Sequence, residues 1–137
     1  MKIAHHVAIY PVLHVPAEEQ TERTKRLLDG WVLFPAFTKE FDRLARPKNQ
    51  ELLDSPLYRP LKATSFDKMP PGQVVVGEID RLCDEGIRYY ETLKNAGVDV
   101  TLHKYPSGVH GFFTLYYLPE ATKAFGDVIK VLKEKVF

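Results

Sequence analysis

The sequence contains one cysteine, Cys83, among its 137 residues. A single cysteine excludes an internal disulfide and a zinc site built from several cysteines. It also favours a reducing compartment, and therefore a cytoplasmic location, over a secreted setting. No apolar run approaches the roughly 18 residues that a membrane-spanning helix needs, so we expect no membrane span.

A strong charge excess is also absent. The 19 Lys and Arg residues nearly balance the 18 Asp and Glu residues, which leaves a formal net charge of +1. A nucleic-acid-binding surface needs a clustered basic excess, so we expect no nucleic-acid partner. The hydrophobic fraction of 45% and the charged fraction of 27% are typical of a globular protein. The length allows one domain with a real core.

Apolar segments alternate between strand-like and helix-like patterns along the chain. Strands are predicted at 5–13, 73–77 and 98–105, and helices within 24–45, from 84 to 95 and from about 119 onward. Pro35 should divide the first helical region and leave a second helix over roughly 34–45. Asp84 is the predicted N-cap and Gly97 the predicted C-cap of the next helix. This alternation predicts an α/β fold with parallel strands and helices on the sheet faces.

Two predicted strand ends carry residues suited to acid–base chemistry. Asp80 follows the strand at 73–77, and His110 follows the strand that ends at Tyr105. The carboxyl ends of neighbouring parallel strands meet at one edge of a sheet, so we expect Asp80 to contact His110. An aspartate in that position fixes the tautomer of a histidine and stabilises its charged form. The alternative is that both are ordinary turn residues.

Three segments carry a family resemblance. They read Gly-Glu-Ile-Asp-Arg-Leu-Cys-Asp-Glu-Gly (77–86), Leu-Lys-Asn-Ala-Gly-Val-Asp-Val (93–100) and Tyr-Pro-Ser-Gly-Val-His-Gly-Phe-Phe (105–113). Further landmarks are Ala-Ile-Tyr-Pro-Val-Leu (8–13), Asp-Ser-Pro-Leu (54–57) and Met-Pro-Pro (69–71). In this order, the segments resemble the C-terminal part of α/β-hydrolases of the hormone-sensitive-lipase type, which includes many carboxylesterases.

The resemblance implies a fold and a site. It implies a single partial α/β-hydrolase domain over residues 1–137, with about three parallel strands flanked by helices and a cap-like helical segment at 24–45. The acid of the family's catalytic triad would be Asp80, and its base would be His110. No cofactor and no metal are implied, and the substrate would be a small acyl ester.

The aromatic residues of the cap-like segment are candidates for a substrate pocket. They are Trp31, Phe34, Phe37 and Phe41. The resemblance implies that they line an acyl pocket, whereas ordinary helix packing is the alternative. Four further histidines, His5, His6, His14 and His103, do not predict a metal site, because His5 and His6 alternate across a strand and point to opposite faces.

The family's nucleophile is missing from this sequence. That nucleophile is a serine in a Gly-x-Ser-x-Gly elbow, and the oxyanion hole uses a His-Gly-Gly-Gly run. None of the three serines, Ser55, Ser65 and Ser107, has glycines two positions away on both sides, and no two glycines are adjacent. In this fold the serine precedes the acid and the histidine. We therefore expect a truncated carboxylic-ester hydrolase, inactive alone. The alternative is a non-catalytic interaction or scaffolding remnant that forms a homodimer through an exposed sheet edge, or pairs with an N-terminal half.

Overall fold

The computed structural model describes residues 2–27 and 33–137. Their strands form one parallel sheet of β1 (His6–Ile9), β2 (Gly72–Gly77) and β3 (Val100–Tyr105), in the order β1-β2-β3. The central strand, β2, pairs in parallel with both neighbours. The predicted α/β class with three parallel strands is confirmed.

Four α-helices accompany the sheet in the described part of the chain. They are α1 (Glu22–Arg26), α2 (Pro35–Ala45), α3 (Cys83–Asn95) and α4 (Pro119–Lys135). Both α2 and α4 begin at a proline, where the missing backbone N–H costs no helical hydrogen bond. Among the described residues, no helix is long and apolar enough to cross a lipid bilayer.

Short 3₁₀ turns fill the connections between these elements. They lie at Ala17–Glu19, Gln50–Asp54, Pro60–Lys62 and Phe112–Thr114. The last of these, Phe112–Thr114, follows the His110 turn and carries two buried phenylalanines.

Strand β2 is buried on both faces because a helix covers each side of the sheet. Val74 and Val76 share one apolar cluster with Leu93 of α3. Val75 belongs to the other cluster, together with the α4 residues Ala121, Ala124 and Val128. A continuous apolar run is the pattern that a strand covered on both faces requires. The core therefore consists of two layers, with β2 between them.

A buried glutamine links the three strands on the α4 side. Gln73 is fully buried, and its Oε1 accepts a hydrogen bond from His103 Nε2 at 2.8 Å. Its Nε2 donates to His5 Nε2 at 3.2 Å and to the Val128 carbonyl at 3.4 Å. A carbonyl oxygen only accepts and an amide nitrogen only donates, so these contacts fix the roles of both imidazoles.

The end of β1 and the N-cap of α3 differ from their predictions. Strand β1 ends at Ile9 instead of running to residue 13, because Tyr10 takes a positive φ of 35° that no regular strand allows. The prediction that Asp84 caps α3 is wrong: the N-cap is Leu82, and Asp84 lies in the first turn. The opposite end matches more closely, since Gly97 follows the helix with φ of 80°.

Candidate active site

The turns after β2 and β3 touch each other through two glycines. A Cβ atom added to Gly77 would lie 2.2 Å from the carbonyl oxygen of Gly108, so neither position has room for a side chain. Backbone hydrogen bonds join the same turns, from Ile79 N to Gly108 O at 3.0 Å and from Glu78 N to Tyr105 O at 2.8 Å. The close backbone approach brings the side chains that follow the two strands within reach of each other.

Asp80 lies in the first of these turns with both carboxylate oxygens engaged. Its Oδ1 accepts a hydrogen bond from the backbone N–H of Leu82 at 2.9 Å. Its Oδ2 lies 2.9 Å from Nδ1 of His110. The residue is only 2% exposed, so water does not compete for these partners. The carboxylate is therefore fixed in one orientation.

His110 receives a defined tautomer from this contact. A carboxylate only accepts hydrogen bonds, so Nδ1 of the imidazole carries the proton that it donates to Asp80 Oδ2. In the neutral ring, Nε2 is then the basic nitrogen. The side chain of His110 keeps 23% of its surface exposed, whereas that of Asp80 keeps 1%. This arrangement can take up a proton at Nε2 while the buried carboxylate stabilises the imidazolium. The predicted contact between these two residues is present.

Tyr10 is a neighbour of His110 that the sequence pattern did not single out. Its ring centroid lies 4.7 Å from that of the imidazole, with an interplanar angle of 59°. Burial, with a further contribution from the charge of Asp80, raises the pKa of the Tyr10 phenol. Its position before Pro11 indicated only a strand end, because nothing in the local sequence predicts its positive φ or its contact with His110.

A cavity of about 860 Å³ opens beside His110. Its lining comes from the loop after β1, from α2 and from the start of α3. Glu85 is a buried acid in this lining, and its Oε2 accepts a hydrogen bond from Leu13 N at 2.9 Å. Burial raises the pKa of Glu85, although backbone hydrogen bonds from Leu13 and Val15 oppose the shift. The volume is within the range of small-ligand sites.

The predicted aromatic pocket residues occupy different positions. Phe41 lines the cavity. Among the described residues Phe34 and Phe37 are not part of that lining, and each leaves nearly half of its surface exposed. Trp31 lies outside the described residues. The Phe34 and Phe37 rings pack edge to face, with centroids 4.7 Å apart. A substrate role for these residues stays a prediction.

Two of the remaining histidines pack against tyrosine rings, the His14 pair within the cavity lining, and the cysteine is buried. His6 packs against Tyr89, with ring centroids 6.5 Å apart, and His14 stacks on Tyr58 at 3.9 Å. Burial raises the pKa of the Cys83 thiol, which disfavours the reactive thiolate. Within residues 2–27 and 33–137, no three His, Cys, Asp or Glu side chains are grouped to hold a metal ion.

This protein has a parallel sheet with helices on both faces, and polar side chains lie beyond the carboxyl ends of its strands. In α/β proteins of this class, ligands bind at the carboxyl-end edge of the sheet. A model of the alpha/beta hydrolase fold matches residues 1–114, which is most of the sequence. The chain therefore belongs to the alpha/beta hydrolase fold family.

Esterases are among the proteins that this chain resembles. Esterase LipI of Mycobacterium tuberculosis is 39% identical over 66 residues, which are 47% of this chain and 21% of that protein. A structure from work on two esterases of the fungus Rhizomucor miehei aligns with a TM-score of 0.87 and 28% identity. The ester-hydrolase EH1AB1 from the metagenome of Lake Arreo, complexed with a bipyridine phosphonate derivative, aligns with a TM-score of 0.80 and 30% identity.

These alignments cover this chain far more fully than they cover the relatives. The Rhizomucor miehei and Lake Arreo alignments take in 97% and 94% of this chain, but 42% and 40% of the other chains. The chain thus spans about two fifths of the length of these structures.

Proposed function

We propose that this chain supplies the acid and the base of a serine-dependent carboxylic-ester hydrolase of the hormone-sensitive-lipase type. The observation that carries the proposal is the 2.9 Å contact between His110 Nδ1 and Asp80 Oδ2, which leaves Nε2 as the basic nitrogen beside the cavity. In such an enzyme Nε2 takes the proton of the serine hydroxyl as the ester is attacked, then returns it to the leaving alcohol. Asp80 stabilises the imidazolium between these steps.

The nucleophile of this reaction has to come from outside the 137 residues. None of the three serines sits in a Gly-x-Ser-x-Gly sequence, and no His-Gly-Gly-Gly run is present. Loss of a triad serine costs about 10⁶ in turnover, and the remaining catalysis depends on the oxyanion hole. We therefore propose that the chain alone does not hydrolyse esters. We also propose a cytoplasmic location, since the single cysteine is buried and unpaired with another cysteine.

A chimeric protein tests the assigned roles. The chain would be joined to the portion of the Rhizomucor miehei esterase that it does not cover, and p-nitrophenyl acetate hydrolysis would be measured. We expect activity in the chimera and only background hydrolysis by the 137-residue chain. In the chimera, His110→Ala should lower turnover by about 10⁶ and Asp80→Asn by about 10⁴.

Two results would contradict these assignments. A burst of p-nitrophenol from the isolated chain that His110→Ala abolishes would show that the chain is active alone. A folded, active chimera that tolerates His110→Ala would remove the base from the mechanism. The tautomer gives a readout without turnover: ¹⁵N spectra of the imidazole should report a protonated Nδ1, and Asp80→Asn should change the tautomer ratio, because an amide can donate as well as accept.

The edge of the sheet supports a second candidate, a non-catalytic interaction or scaffolding role. Within the described residues, β1 pairs on one side only, with β2. An unpaired strand edge is a template for pairing with another chain. Size-exclusion chromatography with light scattering separates the candidates. A monodisperse homodimer of the isolated chain favours the interaction role, while a stable pair with a serine-bearing partner portion favours the hydrolase.

A further inference from the structure

The side chain of Arg81 follows Asp80 directly and lines the same cavity as His110. One terminal nitrogen, Nη1, donates to Thr38 Oγ1 at 3.1 Å. The Nε atom is buried and has no hydrogen-bond partner among the residues that the structure describes. A buried donor without a partner is destabilising, and more so when the group is charged. The guanidinium is thus only partly satisfied by the protein around it.

Within the described part of the chain, no ion pair balances the charge of Arg81. Of the salt bridges within 4.0 Å among residues 2–27 and 33–137, none includes Arg81. The two buried acids nearest in sequence have other partners, since Asp80 binds His110 and the Leu82 N–H, while Glu85 accepts from Leu13. The charge of Arg81 acts to lower the pKa of Glu85 without a direct ion pair between the two side chains.

The other charges in the cavity lining are more fully engaged or more exposed. Arg59 pairs with Asp54 at 3.0 Å, although its Nε atom, like that of Arg81, is buried without a hydrogen-bond partner among the described residues. Asp42 accepts a hydrogen bond from the Tyr58 hydroxyl at 2.9 Å. Lys39 and Arg46, also in the lining, are exposed cations of α2 and of the residue after it. Arg81 therefore differs from Arg59, the other half-buried arginine of this lining, in having no ion pair among the described residues.

We propose that the cavity accepts an ester that carries a carboxylate, and that Arg81 binds this carboxylate. The inference rests on the proposed function, because it names the substrate class of the same site. A guanidinium presents parallel donors that match a carboxylate, and the bidentate pair fixes orientation as well as charge. With the carboxylate held at Arg81, the ester bond of a short dicarboxylic half-ester would be directed toward Nε2 of His110.

Arg81 also links α2 to the turn after β2 through Thr38, and that link is a structural alternative. A purely structural arginine predicts that neutral and anionic esters bind alike. An arginine that binds substrate predicts a dependence on ligand charge that disappears with the guanidinium. The two roles are therefore separated by comparing ligands that differ only in charge.

The test uses the 137-residue chain and two probes, monomethyl glutarate and dimethyl glutarate. They share a carbon chain and a methyl ester, but only the first carries a carboxylate. Binding would be followed by NMR titration of the ¹⁵N-labelled chain at pH 7 and low salt. We expect monomethyl glutarate to bind at least about tenfold more tightly than the neutral diester, as one charge-assisted pair at a half-buried site would give.

Matched variants assign the charge preference to Arg81. Arg81→Gln should reduce monomethyl glutarate affinity to that of the diester, and Arg81→Lys should give an intermediate affinity because it keeps the charge but loses the fork. Arg43→Gln is the control, since Arg43 pairs with Glu40 and is not in the lining. Should Arg81→Gln fail to fold by circular dichroism, Arg81→Lys carries the comparison.

Equal affinity for the two probes, no binding of either probe, or anion binding that survives Arg81→Gln would overturn the inference. Each of these results is read without turnover, so it is independent of the hydrolysis measured on the chimera. A chimera that hydrolyses neutral esters through His110 but shows no charge preference would reject the carboxylate substrate and leave the proposed hydrolase role in place.

Discussion

The turns after β2 and β3 and the helix α2 both border the cavity, but they differ in how far their large apolar side chains are buried. Beside the His110 turn, Phe112 is 1% exposed and packs near Tyr10 and Tyr105. On α2, Phe37 is 50% exposed and Leu44 is 65% exposed. Phe112 and Phe37 are the same residue type, and Leu44 is also large and apolar. The difference in exposure therefore arises from what packs against each element.

The contrast separates two kinds of contribution to the site. The strand-end turns are held by backbone contact, by buried rings and by the Asp80–His110 pair. Among the described residues, α2 contributes part of the cavity lining and carries exposed apolar side chains, and Phe41 belongs to both sets. We infer that the geometry of the acid–base pair depends on the first region and that the shape of the cavity depends on the second.

The largest expected effect comes from removing the buried ring. Phe112→Ala deletes a side chain that is almost completely inside the core, and the free energy of unfolding should fall by about 3–5 kcal/mol. Urea denaturation followed by circular dichroism measures this loss. The matched variant Phe37→Ala on α2 should cost less than about 1 kcal/mol, because that ring is half exposed. Similar losses for the two variants would break the contrast.

Substitution of the contacting glycine should have the next largest effect. Gly77→Ala places a methyl group 2.2 Å from a backbone oxygen, so the two turns must separate, at a cost of about 1–3 kcal/mol or more. The control is Gly126→Ala in α4, where an added Cβ meets nothing within 4 Å and the better helix former should stabilise by up to about 1 kcal/mol. The paired melts should move in opposite directions. The ¹⁵N shifts of His110 should change only in Gly77→Ala. Native shifts in that variant would show that the geometry of His110 does not depend on the contact between the two turns.

Mild acid should have the smallest effect, and it should act on the sheet. Burial lowers the pKa of His5 and of His103, so the folded chain binds fewer protons than the unfolded chain just below pH 6.5. Stability is therefore fully present above about pH 6.5 and falls as the pH drops through the lowered folded pKa values. His14 contributes in the same direction, whereas the raised pKa of Glu85 opposes the loss in its own, more acidic range.

A single variant isolates the sheet contribution to this pH dependence. His103→Gln keeps a neutral donor for Gln73 but removes one titrating imidazole. Urea unfolding at pH 7.5, 6.5 and about 5.5 should show a flatter decline in this variant than in the parent chain. If the free energy of unfolding falls with pH as steeply in His103→Gln as in the parent chain, the acid sensitivity arises from the remaining histidines.

Much of the strand-end region could be predicted from sequence, because its signals are local. Val74, Val75 and Val76 form a run that only a strand covered on both faces would need. The positions of Asp80 and His110 after neighbouring parallel strands then predicted their contact. The bounds of α2 also followed from Pro35, which can begin a helix but cannot sit inside one without cost.

The remaining features depend on contacts between distant residues. The positive φ of Tyr10 and its ring contact with His110 have no local signature. Asp84 has the side chain of a helix cap, but the N-cap is Leu82, two residues earlier, and the Leu82 N–H donates to Asp80 Oδ1 in the preceding turn. The positions of Phe34 and Phe37 away from the cavity lining reflect the direction in which α2 packs, which periodicity does not specify.

Gln73 specifies the register of the sheet, which the neighbouring valines do not. Three consecutive valines present the same side chain to both faces, so a strand shifted by one residue would bury nearly the same apolar surface. Such a shift would carry the amide of Gln73 to the α3 face, away from His5, His103 and the Val128 carbonyl. Loss of these partners inside the core is costly. One polar side chain therefore sets the alignment of three strands that hydrophobicity alone would leave degenerate.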